Sequence, residues 1–280
     1  MTLNHDLVGV PGQPSERSWD STDCLLYALG VGAGQTDPFD ELPFTTENTI
    51  GVKQQVLPTF VNLLNSATAP GPLGDFDPAA LVHAEQSFTL TRRLPTEGRA
   101  RSVRTVTGMY DKGSAALVVS ETSLVDCATG EEFGTTRGSV FIRGEGGFGG
   151  DRGPAPRWEF PAGAPDERVS YRTRPDQALL YRLTGDRNPL HSDPAFAKRG
   201  GWDRPILHGM CTYGFAGRAL LHSVCGSDPE RFLSMEARFS RPVLPGAELT
   251  VDLWIDGNTA YYRTFADEQV VLDAGRMTFK

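Results

Sequence analysis

Residues 206–224 read ILHGMCTYGFAGRALLHSV, and this stretch is the strongest indication of the architecture. Arg218 is its one fully charged residue, and apolar side chains fall on nearly every side of a helical projection. A run of this length favours a helix over a strand, and apolar residues all round indicate a buried helix. Its glycines and alanines would let a surrounding sheet approach closely, and Gly226 is a typical residue for the end of the helix.

Strand-like segments follow this helix, separated by turn residues such as those at 256–258. The first half of the chain has the same order, with a helix-like stretch over Gln54–Asn65. The predicted strands are Ser87–Arg93, Arg101–Tyr110, Ala115–Asp126 and Glu132–Arg143 in the first half, and Leu233–Pro242, Glu248–Ile255, Thr259–Phe265 and Val270–Phe279 in the second. The fold class is therefore α+β, with two copies of a long helix wrapped by an antiparallel sheet.

The two halves also share short sequence patterns at a nearly constant separation. For example, the pattern x-x-Glu-x-x-Phe ends at Phe88 and again at Phe239. Five such matches occur in the same order, about 150 residues apart, which indicates an internal repeat. The stretch 143–156 holds six glycines and two prolines and is typical of a linker. We expect an N-terminal unit over residues 1–150 and a C-terminal unit over residues 151–280.

Composition and charge argue against several classes of protein. Hydrophobic residues make up 39% and charged residues 22% of the 280 residues, which fits neither a disordered chain nor a membrane protein. The net charge of -8 is opposite in sign to that of most nucleic-acid-binding domains. The N-terminus lacks the pattern of a signal peptide, and the four cysteines form no metal-type cluster. We expect a cytoplasmic protein with reduced thiols, no membrane span and no nucleic-acid partner.

The residues that point to chemistry lie in the segment 181–197, YRLTGDRNPLHSDPAFA. Asp186, Asn188 and His191 fall within six residues, and the neighbouring glycine and proline mark a loop before the buried helix. The corresponding first-half segment, 27–38, lacks this polar set, so the repeated fold does not require it. Several arginines and lysines make the region locally basic, as a phosphate-bearing ligand would need. Aspartate and asparagine often only cap turns in loops, and the segment alone leaves that alternative open.

The pattern Tyr-x-Leu-Thr-Gly-Asp-x-Asn-Pro-Leu-His over 181–191, followed by Pro-Ile-Leu-His-Gly over 205–209, resembles the signature of the R-specific enoyl-CoA hydratases (hydratase 2), a group of MaoC-like dehydratases. Weaker similarity covers nearly the whole chain. The resemblance implies a double hot-dog fold, in which each half is a long helix wrapped by an antiparallel sheet. It also implies reversible hydration of a trans-2-enoyl-CoA to the (R)-3-hydroxyacyl-CoA in fatty-acid metabolism. A homodimer is expected from the family and from exposed sheet edges.

The same resemblance implies roles for individual residues. Asp186 and His191 are expected to form a general acid/base pair that shares one water. Asn188 would orient that water, and the N–H of Gly209 would stabilise charge on the thioester oxygen. The implied substrate-binding residues are His83, Ala84, Lys112 and Phe239, of which Ala84 stands where the family more often has glycine. Neither a metal nor a cofactor is implied, because coenzyme A enters as part of the substrate.

Other interpretations fit parts of the pattern. The motif is shared with dehydratases that act on 3-hydroxyacyl-carrier-protein substrates, and hot-dog folds also include thioesterases and could serve as thioester-binding subunits. His208 and His222 lie on the predicted helix and are expected to be packing or hydrogen-bonded histidines. A metal site built from His191, His208 and an aspartate lacks the usual ligand spacing. The first half has no catalytic motif and is expected to bind the acyl group and coenzyme A, with room provided by a helix shortened after Pro58.

Overall fold

The computed structural model describes residues 3–77, 80–154 and 158–280, which build one ten-stranded sheet. Its strands are β1 (Ser15–Trp19), β2 (Leu81–Leu90), β3 (Gly98–Asp111), β4 (Ala115–Asp126), β5 (Glu132–Arg143), β6 (Glu167–Arg172), β7 (Phe232–Phe239), β8 (Glu248–Asp256), β9 (Thr259–Ala266) and β10 (Gln269–Phe279). Every neighbouring pair is antiparallel.

The helices lie in the connections between strands and before the first long strand of each half. The α-helices are α1 (Ser21–Gly30), α2 (Leu42–Thr45), α3 (Gln177–Tyr181), α4 (Pro194–Arg199) and α5 (Gly209–Cys225). Short 3-10 helices cover His5–Leu7, Pro58–Leu64, Arg182–Thr184, Pro189–His191 and Pro229–Arg231. Among the described residues, no helix has the length and apolar character needed to cross a membrane.

The order of the strands repeats between the two halves of the sheet. From the edge inward, the first half runs β1-β3-β4-β5-β2 and the second runs β6-β8-β9-β10-β7. At the centre β2 pairs with β7, where Glu85 lies opposite Arg238 and Ser87 lies opposite Glu236. Because the sequence repeat aligns Glu85 with Glu236, an approximate twofold axis passes between these two strands. This architecture confirms the predicted α+β double hot-dog fold.

Helix α5 is the buried helix predicted from the sequence, although it begins at Gly209 rather than at residue 206. Its glycines allow the first half to approach closely. A Cβ atom at Gly217 would lie 2.5 Å from the Thr59 side chain, and one at Gly214 would collide with Val31. The contacts explain why this helix carries small residues on the side that faces the first half.

The expectation of a long first-half helix over Gln54–Asn65 is wrong. The structure has a seven-residue 3-10 helix there, Pro58–Leu64. Pro58 donates no N–H and restricts the residue before it to extended backbone, so the helix cannot start earlier. The Asn62 side chain donates to the Thr59 carbonyl at 3.0 Å, a local bond that competes with continuation of the helix.

The strand prediction misses the two edge strands, β1 and β6, and begins β2 too late. Strand β2 starts at Leu81 rather than at Ser87, because its first residues pair with β5. Its register shifts between His83 and Glu85, so Ala84 is the extra residue of a β-bulge. This early part of β2 therefore brings two of the implied substrate-binding residues into the sheet next to β7.

The glycine-rich connection folds around one carboxylate. Asp111, at the end of β3, accepts three backbone N–H bonds of 2.7–2.9 Å, from Gly113, Gly147 and Gly149. These bonds lower the pKa of the Asp111 carboxyl. Residues 144–154 form neither helix nor strand, in agreement with the predicted linker, and its last two residues, Ala155 and Pro156, lie outside the described residues. All four cysteines are free thiols.

Candidate active site

The loop between α3 and α4 carries the residues expected to do chemistry. Two short 3-10 helices flank Asp186, and Gly185 turns the chain before it with a φ of 136°. Only glycine adopts such a backbone readily, so the turn requires glycine at position 185. The first half supports the loop, because the Arg17 guanidinium donates to the Thr184 carbonyl at 3.2 Å.

His191 is buried, and its tautomer follows from one hydrogen bond. Its Nδ1 lies 2.9 Å from the carbonyl oxygen of Ile206, which can only accept, so Nδ1 carries the hydrogen. The lone pair of the neutral ring is then on Nε2, as a general base requires. Burial lowers the pKa of His191 despite the nearby Asp186 carboxylate, so the ring is neutral at pH 7.

Asp186 and Asn188 both cap turns, as the alternative interpretation predicted. The Asn188 N–H donates to Asp186 Oδ1 at 3.1 Å, and the Leu190 N–H donates to Asn188 Oδ1 at 3.0 Å. Asp186 nevertheless reaches the histidines: one carboxylate oxygen, one nitrogen of His191 and one nitrogen of His208 lie within 4.8 Å of one another. Turn capping and participation in a site are therefore compatible for Asp186.

His208, which the sequence analysis expected to be a packing or hydrogen-bonded histidine, is the third residue of this cluster. Its ring stacks on the His191 ring, with centroids 3.7 Å apart and planes at 28°. Its Nε2 also donates to the main-chain carbonyl of Asp186 at 3.2 Å. The position of His208 directly before Gly209, at the start of the buried helix, is the sequence signal that could have identified it.

Three nitrogen and oxygen atoms at this separation could also hold a metal ion. Two features oppose a cation here. The cluster lies at the N-terminal end of α5, where the helix dipole is positive, and the charge of Arg182 acts on His208. Both features disfavour a cation, and the neutral histidines together with the Asp186 carboxylate can hold a water instead.

The first turn of α5 offers backbone N–H groups next to the histidines. His208 is the residue before the helix, and its own side chain makes no capping hydrogen bond to the N–H groups of the first turn. A Cβ atom at Gly209 would lie 3.1 Å from the ring of Phe239, at the end of β7. Glycine therefore leaves open the narrow space between the helix start and Phe239.

His83 and Ala84 reach the same region from the first half. The His83 ring lies 4.6 Å from the Phe239 ring, and the Asp186 carboxylate acts on its charge. Burial lowers the pKa of His83 to about 4, and its Nε2 is 3.1 Å from the Glu85 carbonyl. Ala84 is buried against Leu117, on a β-bulge of the kind that redirects side chains near active sites.

Lys112 lies in the β3–β4 turn. Its ammonium group donates to the carbonyl of Arg152, in the glycine-rich connection. The structure therefore joins Lys112 to this connection and packs Ala84 against Leu117 and Val119, whereas it brings the other implied residues to the start of α5 or to the loop that carries Asp186.

Comparison with known proteins agrees with this geometry. The MaoC like domain family matches residues 159–273, and the MFE-2 hydratase 2 N-terminal domain family matches residues 18–144. The chain is 43% identical to 3-hydroxyacyl-thioester dehydratase Y of Mycobacterium tuberculosis, over 100% of this chain and 99% of the relative. It is 38% identical to a peroxisomal enoyl-CoA hydratase 2 of Arabidopsis thaliana, over 95% and 92% of the two chains.

Solved structures agree as well. A MaoC-like dehydratase from Phytophthora capsici superposes with a TM-score of 0.88 at 31% identity, covering 99% of this chain and 98% of that one. A Mycobacterium tuberculosis protein described as having a double hot-dog fold superposes with a TM-score of 0.56 at 14% identity, over 96% and 95% of the chains, and supports the fold alone. From its sequence identity over the full length, the chain belongs to the MaoC-like dehydratases, in the group of two-hot-dog enzymes related to enoyl-CoA hydratase 2.

Proposed function

We propose that the protein catalyses the reversible hydration of trans-2-enoyl-CoA to (R)-3-hydroxyacyl-CoA in fatty-acid or related acyl-CoA metabolism. One observation carries the proposal: the Asp186 carboxylate and the neutral His191 ring lie within 4.8 Å of one another at the start of α5. Relatives named enoyl-CoA hydratase and 3-hydroxyacyl-thioester dehydratase support the same hydro-lyase chemistry.

Hydration requires a water that loses a proton and a carbon that gains one. His191 has its Nε2 lone pair available, and Asp186 supplies a second group that can exchange a proton with the same water. The pair forms a general acid/base system, which contributes typically about 10²- to 10⁴-fold to a rate. Asn188 keeps its amide N–H groups and one lone pair of its oxygen for substrate or water, because the Leu190 N–H uses the other lone pair.

Charge that develops on the thioester oxygen needs a fixed donor. We assign this role to the N–H of Gly209, because it lies in the uncapped first turn of α5 and benefits from the helix dipole. Phe239 and His83 border the approach to this N–H from the two central strands. They would hold the thioester end of the substrate, with Ala84 behind them.

The first half is proposed to bind rather than to catalyse. Residues 1–150 lack the Asp-x-Asn-x-x-His motif, and their short 3-10 helix replaces a long one. The acyl group and coenzyme A would bind between this unit and the catalytic unit over 151–280. Lys112 would meet the coenzyme A portion from the β3–β4 turn. Apart from coenzyme A, which arrives with the substrate, the proposed reaction uses no cofactor.

A carrier-protein substrate is the second candidate, because one relative is named for 3-hydroxyacyl thioesters in general. The two are separated by measuring kcat/KM for a CoA thioester and the matching carrier-protein thioester. The primary assay follows the loss of enoyl absorbance with crotonyl-CoA and longer trans-2-enoyl-CoAs. Absence of hydration at every chain length would refute the proposal, and release of free coenzyme A would indicate a thioesterase.

A homodimer and a cytoplasmic location are also proposed. The homodimer is tested by light scattering of the purified protein, and a monomer at micromolar concentration would contradict it. The Arabidopsis relative is named peroxisomal, so cell fractionation is the appropriate test of location. Recovery of the protein in organelles rather than cytosol would contradict a cytoplasmic location.

A further inference from the structure

His208 is held in one orientation by the groups around it. It is 1% exposed, and its ring lies between His191, with centroids 3.7 Å apart, and Tyr181, with centroids 4.9 Å apart. Backbone anchors fix the residue on both sides, because the Leu207 N–H donates to the Val243 carbonyl and the Cys211 N–H donates to the His208 carbonyl. A ring packed in this way cannot rotate to change its hydrogen bonds.

The hydrogen-bond partners of His208 define where its lone pair is. Its Nε2 lies 3.2 Å from the Asp186 carbonyl, which can only accept, so Nε2 carries the hydrogen. Burial, the neighbouring His191 and the charge of Arg182 all lower the pKa of His208, while Asp186 opposes them, and the ring is neutral at pH 7. Nδ1 therefore bears a lone pair, and it is buried without a hydrogen-bond partner in the described structure.

A substrate water needs an acceptor of this kind. Water has two protons, and when one is directed to the catalytic base the other must be accepted elsewhere. The Asn188 oxygen already accepts the Leu190 N–H, which leaves it one further lone pair, whereas no described group bonds to His208 Nδ1. One water with two hydrogen bonds of about 2.8 Å spans up to about 5.6 Å, and one carboxylate oxygen of Asp186 and one nitrogen of each histidine lie within 4.8 Å of one another, so the cluster is compact enough for a single shared water.

We propose that His208 is a further catalytic residue, whose Nδ1 accepts a hydrogen bond from the substrate water and orients it toward Asp186 and His191. This inference rests on the proposed hydratase function. It gives the orienting role that sequence resemblance assigned to Asn188 to a histidine on the helix start. His208 also joins the acid/base loop to the N–H of Gly209, the next residue along the chain.

Three substitutions separate this role from simple packing. His208→Gln can place an amide nitrogen near the former Nε2 and keep the contact to the Asp186 carbonyl, but it offers no acceptor at the Nδ1 position. His208→Asn offers an acceptor near Nδ1 without the Nε2 contact. His208→Phe keeps the ring and removes both nitrogens. Thr212→Val is the matched control, because Thr212 is also a buried α5 residue whose side-chain oxygen has no described hydrogen-bond partner.

The experiment measures kcat and KM for crotonyl-CoA, with folding checked by thermal unfolding. We expect His208→Gln and His208→Phe to lower kcat on the order of 100-fold with KM nearly unchanged, since water orientation acts on the chemical step. His208→Asn should recover at least tenfold over His208→Phe, and Thr212→Val should resemble the wild type. Wild-type kcat in a folded His208→Gln variant, or equal losses in His208→Asn and His208→Phe, would overturn the proposal.

A crystal structure of the wild-type protein gives a readout that does not depend on turnover. An ordered water within hydrogen-bond distance of His208 Nδ1 is the expected result, and a protein donor at that atom would contradict the proposal. Inactivity of the wild type on every enoyl-CoA would instead refute the hydratase function itself, so the two failures are distinguishable.

Discussion

Gly209→Ala tests the start of α5 as the site that stabilises the thioester oxygen. The added methyl carbon would lie 3.1 Å and 3.2 Å from two ring carbons of Phe239. Ordinary carbon contacts are about 3.5–4.0 Å, so the ring must move by a few tenths of an ångström. Alanine is accepted by the backbone, because Gly209 has a helical conformation, and it gains up to about 1 kcal/mol of helix propensity. We therefore expect the free energy of unfolding to change by less than about 1 kcal/mol.

The effect on catalysis should be much larger than the effect on stability. Alanine keeps the backbone N–H, but its methyl group fills the narrow space beside Phe239 through which the thioester oxygen would reach that N–H. A blocked donor should cost about as much as a lost one, on the order of 100-fold in rate, which corresponds to about 2.7 kcal/mol of transition-state stabilisation. The assay is kcat/KM for crotonyl-CoA, with Gly71→Ala as the matched control, because a Cβ atom there would make only an ordinary 3.5 Å contact with Leu7. Wild-type kcat/KM in Gly209→Ala would refute the assignment of Gly209.

The remaining predictions concern the fold and its pH dependence. Glu41→Gln leaves Arg218, which is 3% exposed and donates to Glu41 Oε1 at 3.0 Å, without its charged partner, so urea unfolding should show a loss of about 3–5 kcal/mol. Unchanged stability would contradict this. Gly217→Ala places a carbon 2.5 Å from Thr59, and calorimetry should show a Tm lower by several degrees; an unaltered Tm would mean that the two halves are less tightly packed. The pKa of His83 is lowered to about 4, so the folded state binds fewer protons and stability falls as the pH drops from about 6.5 toward 4. That fall should be smaller in His83→Gln, and an identical pH profile would contradict the assignment.

The sequence was most informative where one residue pattern determines one structure. The apolar 206–224 stretch predicts α5, because it is too long for a typical strand and a helix with apolar side chains on all sides must be buried. The repeat predicts a sheet with two similar halves because similar sequence patterns in the same order favour similar folds. The first-half helix was mispredicted because Pro58 prevents the helix from starting before it, whereas the prediction relied on local apolarity over Gln54–Asn65.

The sequence predicted the site residues that lie on the loop, but not the contribution of His208 at the start of α5. Asp186 and His191 are close in sequence, and the Gly-Asp turn predicts from sequence alone that they lie on one loop. His208 is 17 residues from His191, and only the fold stacks the two rings and brings Nε2 to the Asp186 carbonyl. The ion pair between Glu41 and Arg218 likewise joins residues far apart in the chain, and no local sequence pattern predicts it.

The most direct test of the acid/base assignment compares the wild type with Asp186→Asn in the hydration of crotonyl-CoA, with chiral analysis of the product. Asparagine keeps the size of the side chain and an oxygen for the turn, but it cannot exchange a proton. The expected result is (R)-3-hydroxybutyryl-CoA from the wild type and a loss of at least about 100-fold in kcat for a folded Asp186→Asn. Near-normal turnover by Asp186→Asn, or a product of the opposite configuration from the wild type, would contradict the account.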